Sequence, residues 1–204
     1  MKCGGTSVGY NLQFWFNLVY DHLIYDDRLD EYRRNRIDPG KIGSDYCIVG
    51  HYAYEGAHLF ERYPELIDDN EKIKAFTFIR DPLEFCISFY YYTKKNERNR
   101  ENTLKEFIDA NANLYAYYFP CTDEDYKEVL DRYLFIGITE HLQKSFDKLA
   151  GIVNKRKLTI PVLNKTQRDS QLSILTEKYV DEFKEKYYLD YKIYNYCKEK
   201  FLDS

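Results

Sequence analysis

The run Phe76-Thr77-Phe78-Ile79-Arg80-Asp81-Pro82 constrains this chain more than any other, because it passes from strand to helix within three residues. Ile73 to Ile79 is short and nearly continuously apolar, the pattern of a strand buried on both faces. Asp81 then offers an N-cap, Pro82 a first helical residue and Glu84 the far end of a capping box. A buried strand feeding straight into a capped helix implies an α/β fold with a parallel sheet.

The flanking segments repeat the alternation. Residues 8–26 read as a helix, with Leu12, Trp15, Val19, His22 and Leu23 on one face. Tyr46-Cys47-Ile48-Val49 is a short strand ending at Gly50-His51, after a turn at Pro39-Gly40. The helix starting at Asp81 runs to about Tyr92, and 103–119 and 123–133 look helical with Pro120 between them. Residues 134–138 form a strand, His141 to Val153 a helix, 155–168 an irregular basic stretch, and 171–187 and 189–202 two closing helices. Ligands of such sheets lie beyond the carboxyl ends of the strands. His51, Arg80 and Thr139-Glu140 all fall there.

Composition removes several functional classes. The 30 basic and 34 acidic residues leave a net charge of −4, with no global pull toward nucleic acid or an anionic membrane. An anionic ligand therefore needs a local basic pocket. No apolar run approaches the ~20 residues of a membrane span, and no signal peptide precedes the first loop. The five Cys are an odd number without metal-type spacing and read as reduced, buried thiols, which points to a cytoplasmic protein. A chain truncated at its start would leave a luminal origin open. The 22 Tyr deprive aromatic residues of any value as a signal for sugar stacking.

Several segments carry candidate chemistry. Lys2-Cys3-Gly4-Gly5-Thr6-Ser7 places a cation, bare backbone N–H groups and two hydroxyls before a helix, a set that can surround one anion. Lys precedes the glycines, whereas a Walker A loop puts it after them. The same residues also suit a plain glycine turn with Thr6 or Ser7 as N-cap. Arg80 and Ser88, about two helical turns apart, can hold a second anion. The competing reading pairs Arg80 with a carboxylate and leaves Ser88 on the helix surface. Gly50-His51-Tyr52-Ala53-Tyr54 offers an imidazole for general-base work, with His58 nearby and Glu55 as a back-up base. A satisfied histidine at a strand end competes with that role. His22 and His141 fall on helices without chemical company. In Asn164-Lys165-Thr166-Gln167-Arg168, Lys165 or Arg168 could close over a phosphate or stay solvated.

In this linear order, from residue 2 to about 200, these segments resemble the sulfotransferases that use 3′-phosphoadenosine 5′-phosphosulfate (PAPS), in particular the carbohydrate-acting, uronyl 2-O-sulfotransferase-like branch. The resemblance implies one P-loop-like, three-layer α/β/α domain over residues 1–204 with a central, mostly parallel sheet. It implies that Lys2, Gly4, Gly5, Thr6 and Ser7 hold the 5′-phosphosulfate, that Arg80 and Ser88 hold the 3′-phosphate, and that Arg168 closes on the nucleotide. His51 would take the proton of an acceptor hydroxyl on a saccharide. PAPS would be the co-substrate and no metal would be needed. Phe135-Ile136-Gly137-Ile138-Thr139-Glu140 with Ser145-Phe146 resembles a further strand of the family that is mostly architectural. There are departures. The family's first loop follows a buried strand, so a chain starting at Met1 is expected to lack its central strand unless another segment fills the gap. Cys3 stands in place of Thr, and Phe85 in place of Arg.

Two other readings remain open. A P-loop kinase acting on a small molecule would need Mg²⁺ and a Lys after the glycines. A non-catalytic descendant would bind nucleotide, or nothing. The clusters Arg33-Arg34-Arg36, Lys94-Lys95-Arg98-Arg100 and Lys155-Arg156-Lys157 could guide an acidic saccharide or be ordinary solvated faces.

Overall fold

A computed structural model describes residues 3–23, 28–68, 73–96, 103–110, 114–161, 172–173 and 175–203. Its elements run α1 (Gly5–Leu12), β1 (Asn17–Asp21), α2 (Leu29–Arg34), β2 (Tyr46–Gly50), α3 (Leu59–Arg62), α4 (Glu65–Asp68), β3 (Phe76–Ile79) and α5 (Pro82–Lys95). They continue with α6 (Leu104–Ala110), α7 (Leu114–Tyr118), α8 (Tyr126–Asp131), β4 (Phe135–Ile138), α9 (Leu142–Ile152), α10 (Glu177–Lys186) and α11 (Tyr188–Asp203).

The fold mixes helices with parallel strands, as the alternation implied. The strands described do not join into one central sheet. β1 pairs with β2 in parallel from Asn17↔Tyr46 to Asp21↔Gly50, and β3 pairs with β4 in parallel from Phe76↔Phe135 to Ile79↔Ile138. The expected βα junction is present: Asp81 accepts from Leu83 N (3.0 Å) and Glu84 N (3.1 Å), and Pro82 opens α5.

The largest correction concerns residues 8–26, expected as one helix. Helix α1 ends at Leu12, a turn follows, and Asn17–Asp21 is a strand. Two contacts pull the chain out of the helix. Trp15 stacks on Phe146 (4.3 Å between ring centroids, 8° between planes) and donates from Nε1 to Arg156 O at 3.0 Å. Asn17 N then donates to Asp45 O at 2.8 Å and starts the ladder with β2. The run Leu18-Val19-Tyr20 suits a half-buried strand at least as well as a helix. The segment expected as one helix over 103–119 is described as α6 and α7.

One apolar core gathers α1, β3–β4, α5–α9 and the closing helices. Phe78, Ile79, Ile138, Phe146, Leu149, Ile193 and Phe201 are among its buried members. Phe85, where the resemblance implied an Arg, is 2% exposed and packs near Phe89 and Tyr115. Apolar packing therefore replaces any ion pair there. In α11 the buried residues Asp190, Ile193, Tyr194, Cys197 and Phe201 form one helical stripe, with a carboxylate among the apolar side chains.

A second buried cluster lies at the end of β1. Arg62 holds Asp21 through two bonds, Nε to Oδ2 at 2.6 Å and an Nη2 bond to Oδ1 at 2.8 Å, and also donates to Asn35 O and Tyr32 O. Tyr63 donates to Asp21 Oδ2 at 2.6 Å, and the Tyr32 ring lies 3.8 Å from the guanidinium carbon. The two ionic side chains are 1% and 6% exposed. This network ties α2, through the Tyr32 and Asn35 carbonyls, and α3 to the strand end. Gly50, beside it, has no room for a side chain: a Cβ there would lie 2.7 Å from Asp21 O.

Candidate functional site

The carboxyl ends of β2, β3 and β4 carry His51, Arg80 and Thr139-Glu140, whereas the glycine loop follows no strand among the described residues. Gly4 is the N-cap of α1 with φ 78, a left-handed conformation that suits glycine. The helix proper begins with Val8 N donating to Gly4 O at 3.0 Å, so Gly5 and Thr6 occupy the turn whose N–H groups have no partner within the helix. No acidic residue lies in that turn. Gly5 and Thr6 are exposed, whereas Ser7 is buried. Thr6 thus faces outward and Ser7 faces the core. A Cβ on Gly4 would touch Leu142 at 3.4 Å and Thr139 at 3.8 Å, which sets the loop against the β4–α9 junction.

Arg80 follows β3. Its backbone N–H donates to the Tyr115 hydroxyl at 2.8 Å, and that hydroxyl donates to Arg80 O at 2.5 Å. Cys3 Sγ lies 3.8 Å from the same hydroxyl. The phosphate-type loop and Arg80, far apart in sequence, thus share one neighbour. The Arg80 guanidinium bonds Glu84 Oε2 at 2.9 Å, and its Nε lies 3.9 Å from Glu140 Oε1. Glu140 also accepts from Asp81 N at 2.9 Å. The buried atoms Arg80 Nε and Thr139 Oγ1 have no hydrogen-bond partner among the described residues.

The carboxylate-paired reading of Arg80 therefore describes this state of the chain. Glu84 and Ser88 share one face of α5 at i and i+4, and Arg80, two residues before the helix begins, reaches back to Glu84. Glu84 stands between Arg80 and Ser88, which is half-buried on α5. An anion held by both residues would compete with Glu84 for the Arg80 guanidinium.

His51 and His22 follow β2 and β1 at matched register, and their rings stack at 5.1 Å with 20° between planes. His22 is thus not a solitary helix residue but the immediate neighbour of His51. His51 is exposed, yet the loss of water around its ring, with positive charge nearby from His22 among others, holds its pKa down at about 4. The imidazole is neutral at pH 7. Glu55 is exposed, and its carbonyl accepts from Arg33 Nε at 2.9 Å and from an Arg33 Nη2 bond at 2.6 Å. His58 caps α3, with Nδ1 3.1 Å from Glu61 Oε2, and its buried Nε2 has no partner among the described residues.

Helix α7 touches both strand pairs. Tyr115 reaches Arg80 and Cys3, while Tyr117 donates to Ala53 O at 2.7 Å in the loop carrying His51. Asp190 accepts from Tyr115 N and Ala116 N, each at 3.1 Å. Sequence reasoning missed Tyr115, Asp190, His22 and the Asp21–Arg62 pair. A charged residue on an apolar helical stripe was the available signal for Asp190. Lys2, Lys165 and Arg168 lie outside the described residues.

Of the basic clusters, Arg33 bonds Asp30 and the Glu55 carbonyl, Arg34 bonds Asp30 O, and Arg36 grips Glu65. Those three cations are already engaged within the chain. Gln143, in the first turn of α9, donates to Leu158 O at 3.0 Å and accepts from Ile160 N at 2.9 Å, bringing the chain after Lys157 back beside Leu142.

Burial pushes all the thiols up, Cys3 and Cys47 to about 11 and Cys86, Cys121 and Cys197 to about 12. An aromatic disulfide reagent should leave the native chain unlabelled at pH 8 and react with all five thiols after guanidinium unfolding. Rapid labelling of the native chain would show that at least one thiol is open and ionised.

Among the described residues, no group of three or more His, Cys, Asp or Glu could hold a metal, and no helix is long and apolar enough to cross a membrane. No family model matches the chain, and no curated protein matches it. Among solved structures, a sulfotransferase from Alicyclobacillus acidocaldarius is similar with a TM-score of 0.45 and 15% sequence identity, covering 88% of each chain.

Proposed function

We propose that this chain is a PAPS-dependent sulfotransferase acting on a hydroxyl of a carbohydrate. The observation that carries the reading is the convergence of two anion-type segments: the glycine-entered start of α1 and Arg80 meet at the Tyr115 hydroxyl. Beside them, Arg80 Nε and Thr139 Oγ1 are buried polar atoms without hydrogen-bond partners among the described residues, the kind that a phosphate oxygen satisfies.

In this reading Gly4, Gly5 and Thr6 cradle the 5′-phosphosulfate, Ser7 contributes its backbone N–H, and Lys2 neutralises charge on the bridging oxygen. Arg80 and Ser88 bind the 3′-phosphate, with Arg168 closing on the nucleotide. The acceptor oxygen forms a bond to sulfur as the bond from sulfur to the 5′-phosphate oxygen breaks. That oxygen keeps the electron pair, and the acceptor's proton passes to neutral His51. The products are a sulfate ester and 3′-phosphoadenosine 5′-phosphate (PAP). Catalysis rests on positioning and charge stabilisation, as in phosphoryl transfer.

One observation favours a second reading, a non-catalytic nucleotide binder: Arg80 already holds Glu84. Transfer of the sulfuryl group from PAPS to a saccharide separates the two, and calorimetry tests the nucleotide site on which both rest. Under the first reading PAP binds at least tenfold more tightly than 5′-AMP, about 1.4 kcal/mol, and ATP–Mg²⁺ binds no better than 5′-AMP. Arg80→Ala should weaken PAP by about ten- to a hundredfold, the range for hydrogen bonds to a charged group. Unchanged PAP affinity in Arg80→Ala would sink the 3′-phosphate assignment, and no PAP binding by the wild-type chain would sink the function.

A further inference from the structure

The main chain of Arg80 is held by a side chain, because no strand described pairs with that edge of β3. A phenol has one proton to give and two lone pairs to accept with. Tyr115 gives its proton to Arg80 O and accepts from Arg80 N, so the remaining partner, the Cys3 thiol at 3.8 Å, must be the donor. Every capacity of the hydroxyl is used, and all of it joins Arg80 to the residue just before Gly4.

The phenol is also fixed from behind. Its residue is 1% exposed, and its ring lies 5.9 Å from that of Phe85 and 6.2 Å from that of Phe119, within a packed core. The helix bearing it is held at its first turn by Asp190, itself 4% exposed. The hydroxyl's position is thus determined by α11 and the core, not by the two segments it joins.

We propose that Tyr115 is a positioning residue that fixes the spacing between the glycine loop and Arg80, and thereby selects a ligand with two separated phosphates over one with a single phosphate. This rests on the nucleotide reading above. A ligand with one phosphate engages one segment and is indifferent to their spacing. A ligand with two needs both segments at one distance, and a shared oxygen atom sets that distance.

Tyr115→Phe keeps the ring and removes only the hydroxyl. Calorimetric titration of the full chain should show PAP affinity falling about tenfold, about 1.4 kcal/mol, while 5′-AMP changes by less than about twofold. In the ligand-free chain, the Arg80 amide should exchange with solvent at least about tenfold faster. If Tyr115→Phe folds poorly, Asp190→Asn, which keeps the side-chain shape and weakens the hold on α7, should produce the same selective loss. A merely structural role would weaken both nucleotides alike. Equal losses, unchanged PAP affinity or unchanged Arg80 exchange would each overturn the proposal. Failure of the wild-type chain to bind PAP is a different result, and it removes the nucleotide reading itself.

Discussion

Arg62→Ala is expected to lower stability by about 3–5 kcal/mol, the usual result of removing one partner from a buried ion pair. The substitution leaves the Asp21 carboxylate, in a residue 5% exposed, with the Tyr63 hydroxyl at 2.6 Å as its one side-chain partner among the described residues. It also strips a donor from the carbonyls of Tyr32 and Asn35. Against a total of about 5–15 kcal/mol for an ordinary domain, such a loss unfolds a measurable fraction of the chain at 37 °C. Urea unfolding followed by fluorescence provides the test. A change below about 1 kcal/mol would mean that water reaches the pair and that the network is decorative. Combining Arg62→Met with Asp21→Leu should restore most of the loss, because paired removal leaves no buried charge behind.

Under the proposed function, with His51 as the general base, His51→Ala is expected to reduce sulfuryl transfer by about 10²- to 10⁴-fold, with PAP affinity unchanged within about twofold. The pH dependence sharpens this. Burial and neighbouring positive charge hold the folded pKa of His51 at about 4, below the ordinary histidine value of about 6.5. Transfer should therefore stay flat as pH falls from 7 to 6 and decline only toward 4, if His51 alone sets the acid limb. Stability follows the same group with a definite sign. Between about 6.5 and 4 the unfolded chain takes up a proton that the folded chain refuses, so the contribution of His51 is full above 6.5 and is lost as pH falls through that window. An active His51→Ala enzyme would move the proton acceptor elsewhere, and Glu55, four residues on with its carbonyl fixed by Arg33, is next in line.

Much of the fold was readable because its determinants are local. Asp81 and Pro82 specify the start of α5, and Asp81 makes its capping bonds, but the return half of the capping box does not form: Asp81 N donates to Glu140 and Glu84 holds Arg80. The apolar period of α9 and the stripe of α11 likewise needed only their own residues. Residues 8–26 misled because Leu12, Trp15, Val19 and Leu23 fit a helical face, while the ladder to β2 and the docking of Trp15 on Phe146 decide the outcome. The candidate site divides in the same way. The types and order of residues around Gly4 and Arg80 were visible in one dimension. Their supports were not: Asp190 is 75 positions from Tyr115, which is 35 from Arg80. Nothing local in a tyrosine-rich chain distinguishes Tyr115 from the other tyrosines. Nor did spacing reveal that Glu84 would already occupy Arg80.

Tyr115 has a counterpart on the adjacent strand. Ser145 Oγ accepts from Ile138 N and donates to Ile138 O, each at 2.9 Å, so β4 also ends on a side-chain hydroxyl. At both strand ends, the main-chain pair that could template another molecule's strand is already closed off. Arg80 and Ile138, one residue at each strand end, thus have no free main-chain group with which to extend a ladder to another chain.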